Sequence, residues 1–339
     1  MTTSHDIARR VGISQSTVSR ALRGDPRVAA ATRRRVEEAA RELQYVPNAA
    51  ARSLITSRTN TIALVLADIT NPFYPELVDV LHDELGLSGF RTVLLNDHSE
   101  GAGGSELTDR LSSGAVDGIV FLSSMLSSPV PRLVAGRGLP IILLNRELDE
   151  PEADVVVSDN YGGGALAAES LLKLGHRRLG LIAGPANTST GRDREAGFRA
   201  ALTRQGVQFD EGLRRESGYS HQGGYQAGIE LLMGERDAPT AIFCGNDVIA
   251  FGALDAARRL SVRVPEQLSV IGFDDIAMAG WEVFSLTTIR QPLAQMGKAA
   301  ARMLIERINS SEPLTPRRQV FPAGLVARAT TAPAPPSAR

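Results

Sequence analysis

From Thr61 onward, short uninterrupted apolar runs alternate with stretches of helix length, and this alternation restricts the fold more than any other feature of the chain. The runs cover residues 62–66, 92–95, 119–122, 141–144, 155–157, 179–182, 241–244, 270–273 and 319–321. A strand with one wet face alternates apolar and polar residues, whereas an unbroken apolar run belongs to a strand covered on both faces. Strands of that kind separated by helices form parallel sheets with right-handed crossovers. Ligands of such folds sit beyond the carboxyl ends of the strands. Polar residues cluster there: Asp68 to Tyr74, Asn145 and Arg146, Ser158 to Asn160, Asn246 and Asp247, and Asp274 and Asp275. They suit sugar hydroxyls or another small polar ligand.

The same residues assemble no catalytic set, so no catalytic residue is assigned. The five histidines show no metal-ligand spacing, and Cys244 is the only cysteine, which excludes an internal disulfide and a multi-cysteine metal site. No metal and no cofactor are expected. Gly162-Gly163-Gly164 opens a helix; it serves either close helix packing or, as a weaker reading, a phosphate cradle. Asp274 and Asp275 are neighbours at a strand end, so their side chains should point apart. No stretch approaches the roughly 20 apolar residues of a membrane span, and the first residues, MTTSHDIARRVG, lack the apolar run of a signal peptide. A cytoplasmic protein with no membrane partner is the expectation.

Net charge divides unevenly. Residues 1–58 hold eleven arginines and five acids, a surplus of six positive charges; the chain total of −1 leaves the remainder at −7. A basic end on an acidic body suits a polyanionic partner, although a charge run by itself also describes a solvated helix surface. Ser4 is placed to cap a helix carrying Ile7, Ala8 and Val11 on one face, and Gly12 stops it. Ile13 follows as a buried plug. Ser14 can cap a second helix over 15–22, with Val18 and Leu22 facing inward. Two short helices around a glycine-containing turn form a helix-turn-helix. A third helix is expected over about 31–43, with Val36, Ala39, Ala40 and Leu43 on its apolar side. The outer face of the second helix carries Gln15, Ser16, Thr17, Ser19 and Arg20, hydrogen-bonding groups of a length suited to base edges and phosphates in a major groove. Pro47 can open a further short helix, which leaves Leu54 with no core nearby in sequence.

The ordered series Asp6-Ile7-Ala8-Arg9, Gly12-Ile13-Ser14, Thr17 to Leu22, Val28, Thr32-Arg33, Val36, Tyr45 to Asn48 and Ala51 to Leu54 closely resembles the headpiece of LacI/GalR transcriptional regulators. The resemblance continues through Asp68 to Tyr74, Val116 to Ile119, Asp159 to Tyr161, Gly175 to Arg178, Arg192 to Arg194, Asn246-Asp247, Gly272 to Asp275 and Leu286 to Ile289, covering about residues 2–328. It implies that Gln15, Ser16 and Arg20 read bases while Thr17, Ser19 and Asn48 contact the DNA backbone. Residues 47–55 become a hinge helix that forms when two copies meet on DNA. Leu54, with Ala51 beside it, wedges into a central minor-groove step and kinks the duplex. The body implied is two α/β lobes of the periplasmic sugar-binding type. Phe73 walls its effector cleft, Arg194 and Asp274 are paired hydroxyl readers, and Asn246 is a further donor and acceptor. Trp281 is either an aromatic plate against a sugar ring or a packing residue on the lobe surface. Three segments depart from the family pattern: Ala29-Ala30-Ala31, where a Ser or Thr usually caps the third helix, Gly280 to Phe284, and the glycine-rich turn over 100–105.

The organisation that follows has a helix-turn-helix headpiece over 1–46, a hinge helix and linker over 47–58, a two-lobed effector-binding and dimerisation domain over 59–329, and a disordered tail over 330–339. The chain should cross between lobes near Ser158, Arg290 and Phe321, giving one lobe of about 60–158 and 290–320 and a second of about 159–289 and 321–329. The expected protein is a sequence-specific regulator, in all expectation a repressor. Its partners are pseudo-palindromic double-stranded operator DNA, a carbohydrate effector and a second copy of itself. An exported solute-binding protein would explain the body alone, but it requires a signal peptide and has no use for the headpiece. An enzyme would require a nucleophile, base or metal that the sequence does not assemble.

Overall fold

The computed structural model describes residues 2–22, 24–45, 58–97, 104–150, 152–234 and 238–335, with the side chains of 104–106 left aside. The chain divides into two units, Met1–Thr59 and Asn60–Arg339. The first unit is a three-helix core of α1 (Ser4–Val11), α2 (Gln15–Leu22) and α3 (Ala30–Glu42). Ile7, Ala8 and Val11 of α1 meet Val18 and Ala21 of α2 and Val36 and Ala39 of α3, with Ile13 and Leu22 packed alongside. Inward residues recur three and four apart in each helix, as an amphipathic helix requires. The cap of α1 is Thr3 rather than the expected Ser4: the Asp6 carboxylate reaches back to accept from the Thr3 N–H at 2.9 Å. Gly12 closes α1 in the left-handed region, φ 73°, which glycine adopts without steric cost. Ala29 stands at the start of α3 with no side-chain cap.

The second unit holds two six-stranded sheets. The first has strand order β11-β5-β4-β3-β1-β2, where β1 is Thr61–Leu66, β2 Arg91–Asn96, β3 Gly118–Phe121, β4 Ile141–Leu144, β5 Asp154–Ser158 and β11 Arg318–Phe321. The second has order β12-β10-β9-β8-β6-β7, with β6 Leu179–Ala183, β7 Arg214–Glu216, β8 Ala241–Cys244, β9 Ser269–Asp274, β10 Thr287–Arg290 and β12 Gly324–Val326. Every pairing is parallel except β10 with β12. Helices α4 (Phe73–Leu87), α5 (Gly104–Ser112), α6 (Pro129–Gly136) and α11 (Leu293–Asn309) flank the first sheet. Helices α7 (Asn160–Lys173), α8 (Ser189–Arg204), α9 (His221–Leu232) and α10 (Asp247–Arg259) flank the second. The continuous apolar runs are explained by β1: Ile62, Leu64 and Leu66 join the core under α4 and α11, while Ala63 and Val65 join the core under α5 and α6. The chain passes between lobes after β5, after β10 and after β11.

Three features differ from the sequence reading. Strands β7, β10 and β12 were not among the apolar runs; β7 reads Arg-Arg-Glu because an edge strand need not be covered. The apolar run in β2 is an edge strand too, and Val93 and Leu94 are exposed. The expected disordered tail is docked through residue 334. Thr330 is buried, its backbone oxygen accepts from the Val270 N–H at 2.8 Å, and its hydroxyl donates to the Val270 carbonyl at 2.7 Å. Further on, Ala332 O lies 3.0 Å from His176 Nε2, and the Ala334 N–H donates to Leu174 O at 2.8 Å. A low-complexity composition was outweighed by backbone partners offered at the start of β9 and by His176 and Leu174 beyond it. Residues 336–339, at the end of that tail, and the hinge positions Asn48, Ala51 and Leu54 lie outside the described residues.

Candidate functional site

In the first unit, Val18 and Ala21 hold α2 against its neighbours, and its polar residues lie on the other side. Ser14 caps the helix, its Oγ accepting from the Thr17 N–H at 3.2 Å. Gln15 and Ser16 are exposed, and Thr17, Ser19 and Arg20 are half-buried. The polar groups occupy one another: Gln15 Nε2 donates to Ser4 Oγ at 3.1 Å, Ser14 and Ser16 hydroxyls lie 2.9 Å apart, and Arg20 Nε donates back to Ser16 O at 3.3 Å. Behind them, Arg35 donates to Val11 O at 2.8 Å and Arg33 to Asp25 O at 2.9 Å, tying α3 to the turns on either side of α2.

In the second unit a cavity lies at the carboxyl ends of the parallel strands. Asn71, Phe73 and Tyr74, after β1, and Asn145 and Arg146, after β4, line it from the first lobe. Thr190 and Arg194 of α8, Tyr219 after β7, Asn246 after β8 and Asp274 at the end of β9 line it from the second. The lobes touch on both rims. Glu76 Oε1 accepts from the Ala277 N–H at 2.7 Å on one side; Leu126 N–H donates to Asn187 O at 2.9 Å, and Glu147 N–H to Ser189 Oγ at 3.0 Å, on the other.

Arg194 and Asp274 are the centre of this wall. Arg194 Nη2 lies 3.1 Å from Asp274 Oδ1; its Nε donates to Asn160 Oδ1 at 2.8 Å and its Nη1 to Gly245 O at 2.7 Å. The guanidinium also lies over the Phe273 ring, 3.6 Å from the centroid. Asp274 Oδ1 takes a second bond from Gln291 Nε2 at 2.8 Å. Burial pushes the Asp274 carboxyl above its ordinary range, against the pull of Arg194 and Gln291 toward the charged form. Asp275 turns the other way, to Arg290 and Arg328, so the paired acids do point apart. Both aspartates, φ 115° and 58°, and Asn145, φ 72°, occupy the left-handed region, a cost that clusters where side chains are aimed at a site.

Arg194 reaches the cavity because α7 and α8 cross closely. A Cβ on Gly164 would fall 2.0 Å from Arg194 O, and one on Gly197 would fall 1.9 Å from Tyr161 O. Gly163 abuts the Phe273 ring, so Gly163 and Gly164 both serve close packing. Behind the wall, the fully buried Asp247 accepts from Thr288 Oγ1 at 2.5 Å and from the Ile276 N–H at 3.0 Å. Its carboxyl is pushed well up by burial and by the neighbouring Asp274.

Of the sequence-expected effector residues, Phe73, Arg194, Asn246 and Asp274 come together around this cavity. Asn246 is also the cap of α10, its Oδ1 accepting from the Ile249 N–H at 3.0 Å. Trp281 does not join them: the 3₁₀ turn Ala277–Gly280 carries it away, its side chain is 55% exposed, and Phe284, stacked on Phe251 at 4.1 Å, anchors that loop instead. The aromatic walls are Phe73, Tyr74 and Tyr219. Asn71, Tyr74, Asn145 and Arg146 fell within the polar stretches after strands, and their positions were the available signal. Thr190 and Tyr219 gave none, since β7 before Tyr219 has no apolar run.

The first unit matches the family described as bacterial regulatory proteins, lacI family, over residues 3–48, and residues 168–331 match the periplasmic binding protein-like domain. The HTH-type transcriptional regulator DegA of Bacillus subtilis (strain 168) is 36% identical over 335 residues, which cover 98% of this chain and 98% of that protein. The structure of a transcriptional regulator CelR–cellobiose complex is similar with a TM-score of 0.76 at 34% identity, covering 97% of this chain and 100% of that one. The lac repressor dimer bound to operator and the anti-inducer ONPF gives a TM-score of 0.86 at 27% identity, covering 98% and 99%. With a polar reading helix in the first unit, a polar cavity between two parallel-sheet lobes in the second, and relatives matched end to end, the chain belongs to the lacI family of bacterial regulatory proteins and is a DNA-binding transcriptional regulator with a small-molecule-sensing body.

Proposed function

We propose that this regulator is a repressor that binds a pseudo-palindromic operator as a homodimer and changes its hold on DNA when a carbohydrate fills the cavity of each subunit. The observation that carries this reading is the convergence of Arg194, Asp274, Asn246, Asn71 and Asn145 beside aromatic rings at the ends of the strands, a set of donors and acceptors suited to sugar hydroxyls. The CelR–cellobiose complex, similar over the whole chain, supports a sugar as ligand, and the operator-bound lac repressor dimer supports the assembly. Gln15, Ser16 and Arg20 read base edges; Thr17, Ser19 and Asn48 hold the backbone; Leu54 and Ala51 form the minor-groove wedge. The effector favours one relative placement of the lobes and so shifts the population of DNA-competent dimers. The protein is a switch acting in the cytoplasm and not an enzyme. Immunoprecipitation of the tagged chain with its bound genomic DNA should recover one symmetric sequence. Anisotropy on that duplex should show an affinity that a sugar alters. Equal binding to scrambled DNA, or indifference to every sugar that the protein binds, overturns the reading.

A further inference from the structure

Among the described residues, two guanidinium groups and one carboxylate line the cavity; the carboxylate, Asp274, is hydrogen-bonded to Arg194 and feels the charge of Arg146 only through space. Arg194 spends all its nitrogens on Asp274, Asn160 and Gly245. Arg146 is held differently. Its Nη1 donates to Ser123 O at 3.2 Å and its Cζ lies over the Tyr219 ring, 5.3 Å from the centroid, while its buried Nε has no hydrogen-bond partner. The acids nearest to it in sequence and around the rim point elsewhere: Glu147 to Arg318, Asp149 to Arg192, Asp275 to Arg290 and Arg328, and Glu76 to the Ala277 N–H. Next to Arg146, the buried Asn145 keeps its Oδ1 without a partner. A neutral sugar would satisfy Asn145 and leave a half-buried positive charge with no counter-ion bonded to it, which is costly where water is excluded.

We infer that the effector is a small sugar acid, a polyhydroxylated carboxylate whose anionic group lies against Arg146 while its hydroxyls meet Asn145, Arg194 and Asp274. This rests on the proposal that the cavity binds a carbohydrate. A carboxylate fits better than a phosphate ester because the surplus is a single charge, whereas a phosphate carries about −1.5 to −2 at neutral pH. Arg146 is thereby a specificity-determining residue, since a guanidinium grips a carboxylate through paired N–H groups.

The test uses the full chain at fixed ionic strength, with calorimetry and thermal shift against glucuronate, galacturonate and gluconate, each beside its neutral counterpart, and against glucose 6-phosphate. At least one acid should bind ten-fold or more tighter than the neutral sugar. In Arg146→Gln that advantage should fall to less than three-fold, while Arg146→Lys, which keeps the charge, should retain part of it. Equal or tighter binding of the neutral sugar, or an advantage that survives Arg146→Gln, overturns the inference and leaves the carbohydrate reading standing. Tighter binding of the phosphate ester overturns the carboxylate assignment. Binding of none of these compounds overturns both. Should Arg146→Gln fail to fold, Arg146→Lys and the loss of the acid's advantage at high salt decide the matter, because a salt-independent preference is not ionic.

Discussion

Arg194 and Asp274 form a buried ion pair, Nη2 to Oδ1 at 3.1 Å, in which the arginine also props up the loop after β8 through Gly245 O and the start of α7 through Asn160. The residue expected to sense a ligand therefore also holds three segments of the second lobe in place.

The two partners should for that reason fail in different ways. Arg194→Ala leaves a buried carboxylate, an amide oxygen and a carbonyl without their donor, and should cost about 3–5 kcal/mol of body stability. Asp274→Asn keeps an oxygen for Gln291 and Arg194 but removes the charge; it should stay folded and lose effector affinity by ten-fold or more. Urea unfolding beside ligand titration separates the two, and an Arg194→Ala midpoint equal to the parent's would show that the pair does not support the fold.

Gly164→Ala tests the helix crossing. The new Cβ meets backbone, the Arg194 carbonyl, so no side-chain rotation relieves it. Overpacking of this kind should cost about 1–3 kcal/mol and displace Arg194 from the cavity. Gly86→Ala, where a Cβ meets nothing, is the control and should be neutral or stabilising.

The buried His176 gives the body an acid limit. Burial holds its pKa below the ordinary 6.5, so the unfolded chain takes up the proton first as pH falls. Stability from this group is complete above about pH 6.5 and is lost progressively below it, until the folded pKa is reached. Because His176 contacts Thr240, Ser269 and Ala332 O, the C-terminal segment should loosen in the same window. Thermal unfolding between pH 5 and 8 should show this slope in the parent and a flatter one in His176→Gln; parallel curves would assign the slope to other groups.

Arg20 should report on reading as distinct from clamping. Its bond to Ser16 O is replaceable by a two-pronged contact to guanine. Arg20→Ala should then weaken operator binding by about 1–3 kcal/mol and relax preference at one symmetric base pair. A uniform loss on all sequences, with a shallower salt dependence, would make it a phosphate contact instead.

Much of this was legible because the strongest signals are local. The span of α2 and the positions of β4 and β8 follow from a cap at Ser14 and from apolar runs that a doubly covered strand requires. Asp274 was legible from its place after an apolar run, but its pairing with Arg194 only through family resemblance, since 80 residues separate two groups that touch. What escaped was set by tertiary surroundings. Tyr219 enters the cavity from an edge strand with no apolar pattern, and Trp281 leaves it because Phe284 found the better packing site. Thr330 is pinned by carbonyl and amide groups of β9 that no composition of the tail could announce.

The three passages between lobes have a consequence for synthesis and for broken genes. Neither lobe is a continuous piece of chain: β11 closes one edge of the first sheet and β12 one edge of the second, and both come from the last stretch to be made. A ribosome must therefore deliver residue 321 before the first lobe is whole and residue 326 before the second is, and the nascent chain carries open sheet margins until then. A premature stop after residue 317 would not yield a regulator short of its tail. It would yield a protein with both lobes incomplete at once, prone to pair its bare margins with other chains, while the three-helix reader at its start had long since folded.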